Sequence, residues 1–311
     1  MNSPLITTKQ HQKLLSKRVK RRDRLLLNVI GYTSLSLIAM FCLVPFLLVL
    51  SSSFTSENSI IDKGFQLIPS DFSTEAYGLL FKYPNQMLRA YAVTISVTVI
   101  GTAVGLFLTS MTAYVLTRKD FIWRSGFAFF FFFTTLFSGG LVPWYLLVVN
   151  YLHLKDTLII LILPMLLNVF NILVMKSFMS SIPDAIAESA KIDGAGDFLI
   201  YIKLIVPLSK PAMATIGLFI ALGYWNDWYN ALLFISNENL MPLQYYLYKM
   251  LGNMEGIRKA MLLSGVVTNV SLPTESLKNA MTVVAIGPIL LAYPFIQRFF
   301  VQGLTIGSVK G

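Results

Sequence analysis

Two stretches of this chain gather the side chains able to do chemistry. The first, "GYWNDWYN" (223–230), puts Gly223, Asn226, Asp227 and Asn230 on one face at helical spacing, with Trp225, Trp228 and Tyr229 beside them. Flat aromatic faces next to amide and carboxylate groups are what a sugar ring requires. The same residues equally suit an interhelical hydrogen-bond network with an aromatic belt and no ligand. The second stretch, "DAIAESAKIDGAGDFLIYIKLIVPL" (184–208), holds Asp184, Glu188, Lys191, Asp193, Asp197 and Lys203 between two apolar runs.

Other chemistries are poorly supplied. His11 and His153 are the only histidines and lie far apart in polar segments, which removes a histidine metal centre and a serine–histidine triad. Cys42 is the single cysteine, so no intrachain disulfide can form. No glycine directly precedes a lysine, so the phosphate-cradling GxxxxGK[ST] loop is missing and the chain cannot hydrolyse ATP by that route. The expectation is a protein that is not an enzyme and holds no cofactor and no metal.

The elements that must position these residues are membrane-spanning. Of 311 residues, 55% are apolar and 13% charged, with a mean hydropathy of +0.67; soluble domains carry about 25% charged residues. Six apolar runs, near 25–52, 89–116, 123–148, 158–178, 209–236 and 279–300, each approach or exceed the ~20 residues a helix needs to cross a bilayer. They are too long for barrel strands, and unpaired backbone is not tolerated in lipid. The fold class is therefore all-α, a polytopic membrane protein of six transmembrane helices.

Charge orients it. "KQHQKLLSKRVKRRDR" (9–24) sets eight Lys/Arg and one acid directly before the first run. Basic residues collect on the cytoplasmic side, which accounts for this patch without nucleic acid. With six spans, the inside segments hold 17 Lys/Arg and the outside ones 8, so both termini and the 179–208 loop are expected in the cytoplasm of a multi-pass cell-membrane protein. The first run is too long for a signal-peptide core and is read as a retained helix.

Four parts follow: a basic segment 1–24, a first helix and outside loop 25–88, a five-helix core 89–301, and a tail 302–311. Short helices are expected in 53–88. "GTAVG" (101–105) offers a small-xxx-small helix contact, "SGGLVPW" (138–144) a turn, and Pro288 and Pro294 a kink. In the charged loop, Ser181 and Asp184 form a candidate reciprocal cap, with Pro183 in the first turn and Gly194 as the left-handed terminator. Ala187, Ala190 and Gly194 make a small-residue face, against which something must pack closely.

This loop resembles the signature of bacterial ABC-importer permeases: EAA, three residues, Gly, nine residues, then a hydrophobic ending in Pro. Here it reads Glu188-Ser189-Ala190, Gly194, and Leu204-Ile205-Val206-Pro207, with mild departures at Ser189, Leu204 and Val206. "KIDGAGDF", "GYWNDWYNALLF" and the tail "FVQGLTIGSVKG" are similar to the carbohydrate-uptake branch, the smaller maltose-type subunit, and most closely to permeases of complex oligosaccharides and polysaccharide fragments.

The resemblance implies a type I ABC-importer transmembrane fold. It further implies a heterodimer with a second permease subunit, cytoplasmic ATPase subunits that hydrolyse ATP, and a substrate-binding protein that delivers carbohydrate. It assigns ATPase coupling to Ala187, Glu188, Ser189, Ala190, Asp193 and Gly194, with Ala187, Ala190 and Gly194 as the docking surface and Glu188 paired to a basic residue of the ATPase. It also places Gly303, Gly307 and Lys310 of the tail at the ATPase interface. Trp225, Asn226, Asp227, Tyr229 and Asn230 are the substrate-path candidates. The alternatives are a permease for a non-sugar solute and an ion-coupled secondary carrier using Asp227.

Overall fold

The computed structural model describes residues 8–263 and 273–306, and among them the chain is helical with no strand beyond an isolated antiparallel bridge, Thr55 to Phe72. Helix α1 (Thr8–Ser53) is a 46-residue helix whose apolar stretch from Leu26 is not buried by the rest of the chain. Such a surface is stable only against lipid or another protein. The 53–88 segment contains two short helices, α2 (Glu57–Lys63) and α3 (Glu75–Leu80), as its turn formers suggest.

Helix α4 (Pro84–Thr117) starts with Pro84 in its first turn, where the missing N–H costs no hydrogen bond. Its buried stripe includes Gly101, Gly105 and Thr109. A Cβ on Gly101 would lie 2.5 Å from the Tyr224 ring, and one on Gly105 would lie 3.2 Å from the Leu166 carbonyl. The glycine pair therefore lets two other helical segments approach the α4 backbone.

The third and fourth apolar runs are bent, not single rods, and the fifth begins at a bend. Helix α5 (Arg124–Leu136) meets α6 (Leu141–Leu146) and the π-helical turn 147–151 at 111°, pivoting at Gly140, whose φ of 86° suits glycine. Helix α7 (Leu158–Ile162) and a 3-10 turn through Pro164 meet α8 (Val169–Met179) at 52°. Asn168 caps α8 by accepting from the Asn171 N–H at 3.2 Å.

After α9 (Asp184–Ile192), α10 (Asp197–Ile200), a π-helical turn 201–205 and α11 (Val206–Leu208) lead into α12 (Lys210–Asn226). The bend there is 86°, at the fully buried Ser209 between Pro207 and Pro211. The chain then forms α13 (Tyr229–Phe234), α14 (Leu243–Leu263) and α15 (Thr274–Ile306). Pro288 and Pro294 lie inside α15 without interrupting it.

The expected all-α membrane fold is present, with several of the expected spans built from bent pairs. Among the described residues two helices are long and apolar enough to cross a membrane alone, α1 from Leu26 and α4. The count rises to five if each of the three bent pairs is one span, and the sixth expected run, 279–300, lies within α15. Glycine and proline inside the runs supply the bends. Two buried clusters hold the bundle. One joins α4, α8, α9, α12 and α13 through Tyr114, Met175, Ile216 and Phe234; the other joins α3, α14 and α15 around Leu80, Leu247 and Leu277.

Candidate functional site

Helix α9 runs from Asp184 to Ile192, with Gly194 the left-handed residue past its end as the spacing suggested. Pro183 precedes the first turn instead of lying in it, and the cap differs from expectation. Ser181 does not cap α9: its hydroxyl donates back to the Phe178 carbonyl at 2.7 Å, and no side chain bonds the α9 N-terminus. The other end is a Schellman motif. The Ala195 N–H reaches the Ala190 carbonyl at 2.9 Å, the Gly194 N–H reaches Lys191 at 3.0 Å, and Gly194 takes φ 80°.

Two of the three small residues turn inward: Ala187 is 3% exposed in the main core and Ala190 packs against that core, so the chain itself covers part of the surface read as a docking face. A helical wheel gives two faces but does not say which one its own fold covers. The opposite stripe is open: Ala185, Glu188, Ser189 and Asp193 are exposed, and Ile192 is 86% exposed. Gly194 is also exposed, and a side chain added there would meet open space.

Much of the charge in the loop is used internally. Lys191 bridges Asp120 at 2.5 Å and Asp197 at 3.0 Å, and Lys119 pairs with Asp184 at 2.6 Å. Arg118 completes the set by pairing with Asp120 at 3.3 Å. The turn after α4 therefore grips α9 near both ends. The Lys191 ammonium holds the Asp120 carboxyl down at about 2, and Asp120 in turn raises Lys191. Lys119 and Asp184 shift each other likewise, the lysine up and the carboxyl down.

Beneath this clamp the Tyr201 hydroxyl meets Ser110 of α4 at 2.7 Å, its ring 5.5 Å from that of Tyr114. Glu188 and Asp193 form no ion pair among the described residues and remain exposed, available to a partner. At the sequence level Arg118 and Lys119 entered only as inside basic residues, and no local pattern tied residues 118–120 to the distant α9.

The aromatic and amide stretch is divided. The helical spacing of Gly223, Asn226, Asp227 and Asn230 breaks because α12 ends at Asn226 and Asp227 is extended, with ψ 112°. Asp227 instead caps the next turn, accepting from the Asn230 backbone N–H at 3.2 Å and the Asn230 side-chain amide at 3.0 Å. Trp225 is 9% exposed and donates to the Ala285 carbonyl at 3.1 Å, which binds α12 to α15 and withdraws that indole from a ligand. Asn226 and Tyr229 are exposed; Gln244 donates to the Asn226 amide oxygen at 3.4 Å. Trp228 stacks on Tyr248 at 4.7 Å. Among the tail candidates, Gly303 lies within α15, and Gly307 and Lys310 lie outside the described residues. No group of three or more potential metal ligands occurs among the described residues.

Comparison with known proteins places this architecture. Residues 105–306 match the family described as binding-protein-dependent transport system inner membrane component. The chain is 41% identical over 286 residues to the polygalacturonan/rhamnogalacturonan transport system permease protein YtcP of Bacillus subtilis, covering 92% of this chain and 99% of that protein. It is 26% identical over 293 residues to the arabinooligosaccharides transport system permease protein AraQ of Halalkalibacterium halodurans, covering 92% and 96%. A solved bacterial ABC transporter involved in the import of the acidic polysaccharide alginate superposes with a TM-score of 0.73 at 31% identity, over 90% of this chain and 98% of that one. The type I importer bundle and the matched residues agree, and the chain belongs to the binding-protein-dependent inner membrane component family, the transport permeases of ABC importers.

Proposed function

We propose that this chain is one of two permease subunits in an ATP-driven importer of oligosaccharides or polysaccharide fragments. It would form half of the translocation path within residues 89–301, with both termini and α9 in the cytoplasm. A separate ATPase subunit docks on α9, a sibling permease completes the path, and a binding protein delivers the glycan to the opposite end. The observation that carries this reading is α9 itself, a short helix rigidly clamped to α4 with Ile192, Glu188 and Asp193 left open. The names of two relatives, transport permeases for polygalacturonan/rhamnogalacturonan and for arabinooligosaccharides, supply the solute class.

Contact with the ATPase falls to the outward stripe of Ala185, Glu188, Ser189, Ile192, Asp193 and Gly194, while Ala187 and Ala190 support it from behind. Gly303, Gly307 and Lys310 stay with the tail assigned to the same partner. Of the substrate-path candidates, Asn226 and Tyr229 retain open surface, whereas Trp225, Asp227 and Asn230 serve structure. Asp227, with both oxygens engaged by Asn230, is poorly placed as the titrating group of an ion-coupled carrier.

Uptake of labelled oligogalacturonate and arabino-oligosaccharide by proteoliposomes holding the full complex tests this. Uptake must require internal ATP and fail with an ATPase subunit impaired in hydrolysis. Uptake driven by an imposed proton or sodium gradient without ATP would overturn it.

A further inference from the structure

Two cavities lie at the end of the bundle that carries α2, α3 and the start of α14, and their chemistry differs. One, of about 470 Å³, is lined by Trp228, Gln244, Tyr248 and Lys278 among apolar groups. Its lysine is already neutralised, by Glu255 at 3.2 Å and Glu275 at 3.1 Å. The other, of about 300 Å³, lies between the start of α4 and α14. That volume is at the lower end for ligand sites, fit for one sugar residue rather than a chain.

This second cavity combines Lys82, Tyr83 and Gln86 at the start of α4 with Glu238 and with Tyr246, Lys249 and Asn253 of α14. The Gln86 and Asn253 amides have no hydrogen-bond partner among the described residues. Lys82 forms no ion pair there, only a contact 6.0 Å from the Tyr83 ring. Lys249 has one carboxylate, Glu238, at 3.6 Å, beyond a close hydrogen bond. Arg89, one turn along α4 from Gln86, is bonded to the neutral Asn239 amide. The cavity wall itself thus holds two ammonium groups, Lys82 and Lys249, against one carboxylate, Glu238, beside two phenol rings and two amides. Rings and amides recognise a sugar, and an ammonium group with no carboxylate of its own, here Lys82, recognises an anion.

We propose that this cavity is an entry subsite for a sugar residue bearing a carboxylate, with Lys82 and Lys249 as its charge partners. The assignment rests on the carbohydrate reading above and narrows it to uronate-containing glycans. A carboxylate on the delivering binding protein has the same chemistry, but a concave site with two amides and two tyrosines fits a small ring better than a flat protein contact.

The test is ATP-dependent uptake by the complete importer of a galacturonate trimer and a mannuronate trimer, each compared with its methyl ester at saturating binding protein. In the double variant Lys82→Gln/Lys249→Gln, uptake of the preferred free acid should fall about tenfold, while that of its ester changes less than twofold. Lys82→Arg/Lys249→Arg should retain the preference for the acid. Equal losses for acid and ester, or no loss for either, would overturn the subsite and leave the carbohydrate reading standing. So would a variant whose only defect is a higher binding-protein requirement, the same for both sugars, which would assign the cavity to the receptor. A wild-type importer that takes up only neutral oligosaccharide would overturn the uronate assignment, and one that takes up no oligosaccharide would overturn both readings.

Discussion

The Glu57 carboxylate accepts a hydrogen bond from the Ser276 backbone N–H at 3.0 Å, joining the start of α2 to the start of α15. The same carboxylate accepts from the Glu275 N–H at 2.9 Å and from the hydroxyls of Thr274 and Ser276. Glu57 is 4% exposed. The first N–H groups of a helix lack intrahelical partners, and a negative charge at that end is favoured by the helix dipole. A residue from the first loop thus supplies the cap of the last helix.

Glu57→Ala should leave those buried donors unmatched and destabilise the permease by about 2–4 kcal/mol. Glu57→Gln keeps one acceptor but turns an amide N–H₂ toward other donors, so it should recover only part. Thermal unfolding of the purified complex checks the order, wild type above Gln above Ala. An Ala variant as stable as wild type would show that solvent replaces the carboxylate.

Which parts of this were legible follows from the range of each interaction. Apolar runs report their own length, and Pro183 and Gly194 mark helix ends through their own backbone preferences. The Glu57 cap depends on partners more than two hundred residues away, and no local pattern announces it. The side of α9 covered by the chain depends on where α4 and the 201–205 turn fall, so the small face was legible as a face, but the burial of Ala187 was not. In 223–230 the helical spacing continues through Asp227, yet the carboxylate bonds Asn230 and the helix restarts. There the local capping chemistry prevailed over periodicity.

The inward and outward faces of α9 should fail in different ways when altered. Ala187→Leu overfills a core position and should lower the yield of folded permease, costing about 1–3 kcal/mol. Ile192→Asp touches nothing in the chain and should keep the yield while reducing ATPase co-purification and sugar-stimulated hydrolysis about tenfold or more, as loss of a central apolar anchor does. Normal hydrolysis in Ile192→Asp would remove the outward stripe from the interface.

The clamp between the 118–120 turn and α9 should transmit motion from α9 to α4. Asp120→Lys should reduce coupled transport about threefold or more without loss of the folded complex, and adding Lys191→Asp should restore part of it by reversing the pair. The Asp120 carboxyl lies below its ordinary 3.8, so its contribution is present above about pH 4 and is lost as the pH falls through about 2. Lys191 is raised, so its share is complete below its ordinary 10.5. Coupling should therefore show no clamp-dependent change between pH 5 and pH 9, measured as the ratio of Asp120→Asn to wild-type transport across that range. A ratio that varies across it would mean that another titrating group holds the clamp.

The contact of Gly101 with Tyr224 makes the sharpest packing test. The Tyr224 ring cannot yield freely, because it is 2% exposed and its hydroxyl donates to the Ile162 carbonyl at 2.8 Å. A Cβ 2.5 Å from that ring must therefore push α12 off α4 or break the Ile162 bond. Gly101→Ala should destabilise the permease by about 1–3 kcal/mol, as overpacking a filled core does. Gly252, inside α14, has nothing within 4 Å of an added Cβ, and Gly252→Ala should instead stabilise by about 0.5–1 kcal/mol through the helix preference alone. Thermal unfolding of the two variants should move in opposite directions. A Gly101→Ala protein as stable as wild type would mean that α12 does not lie this close to α4.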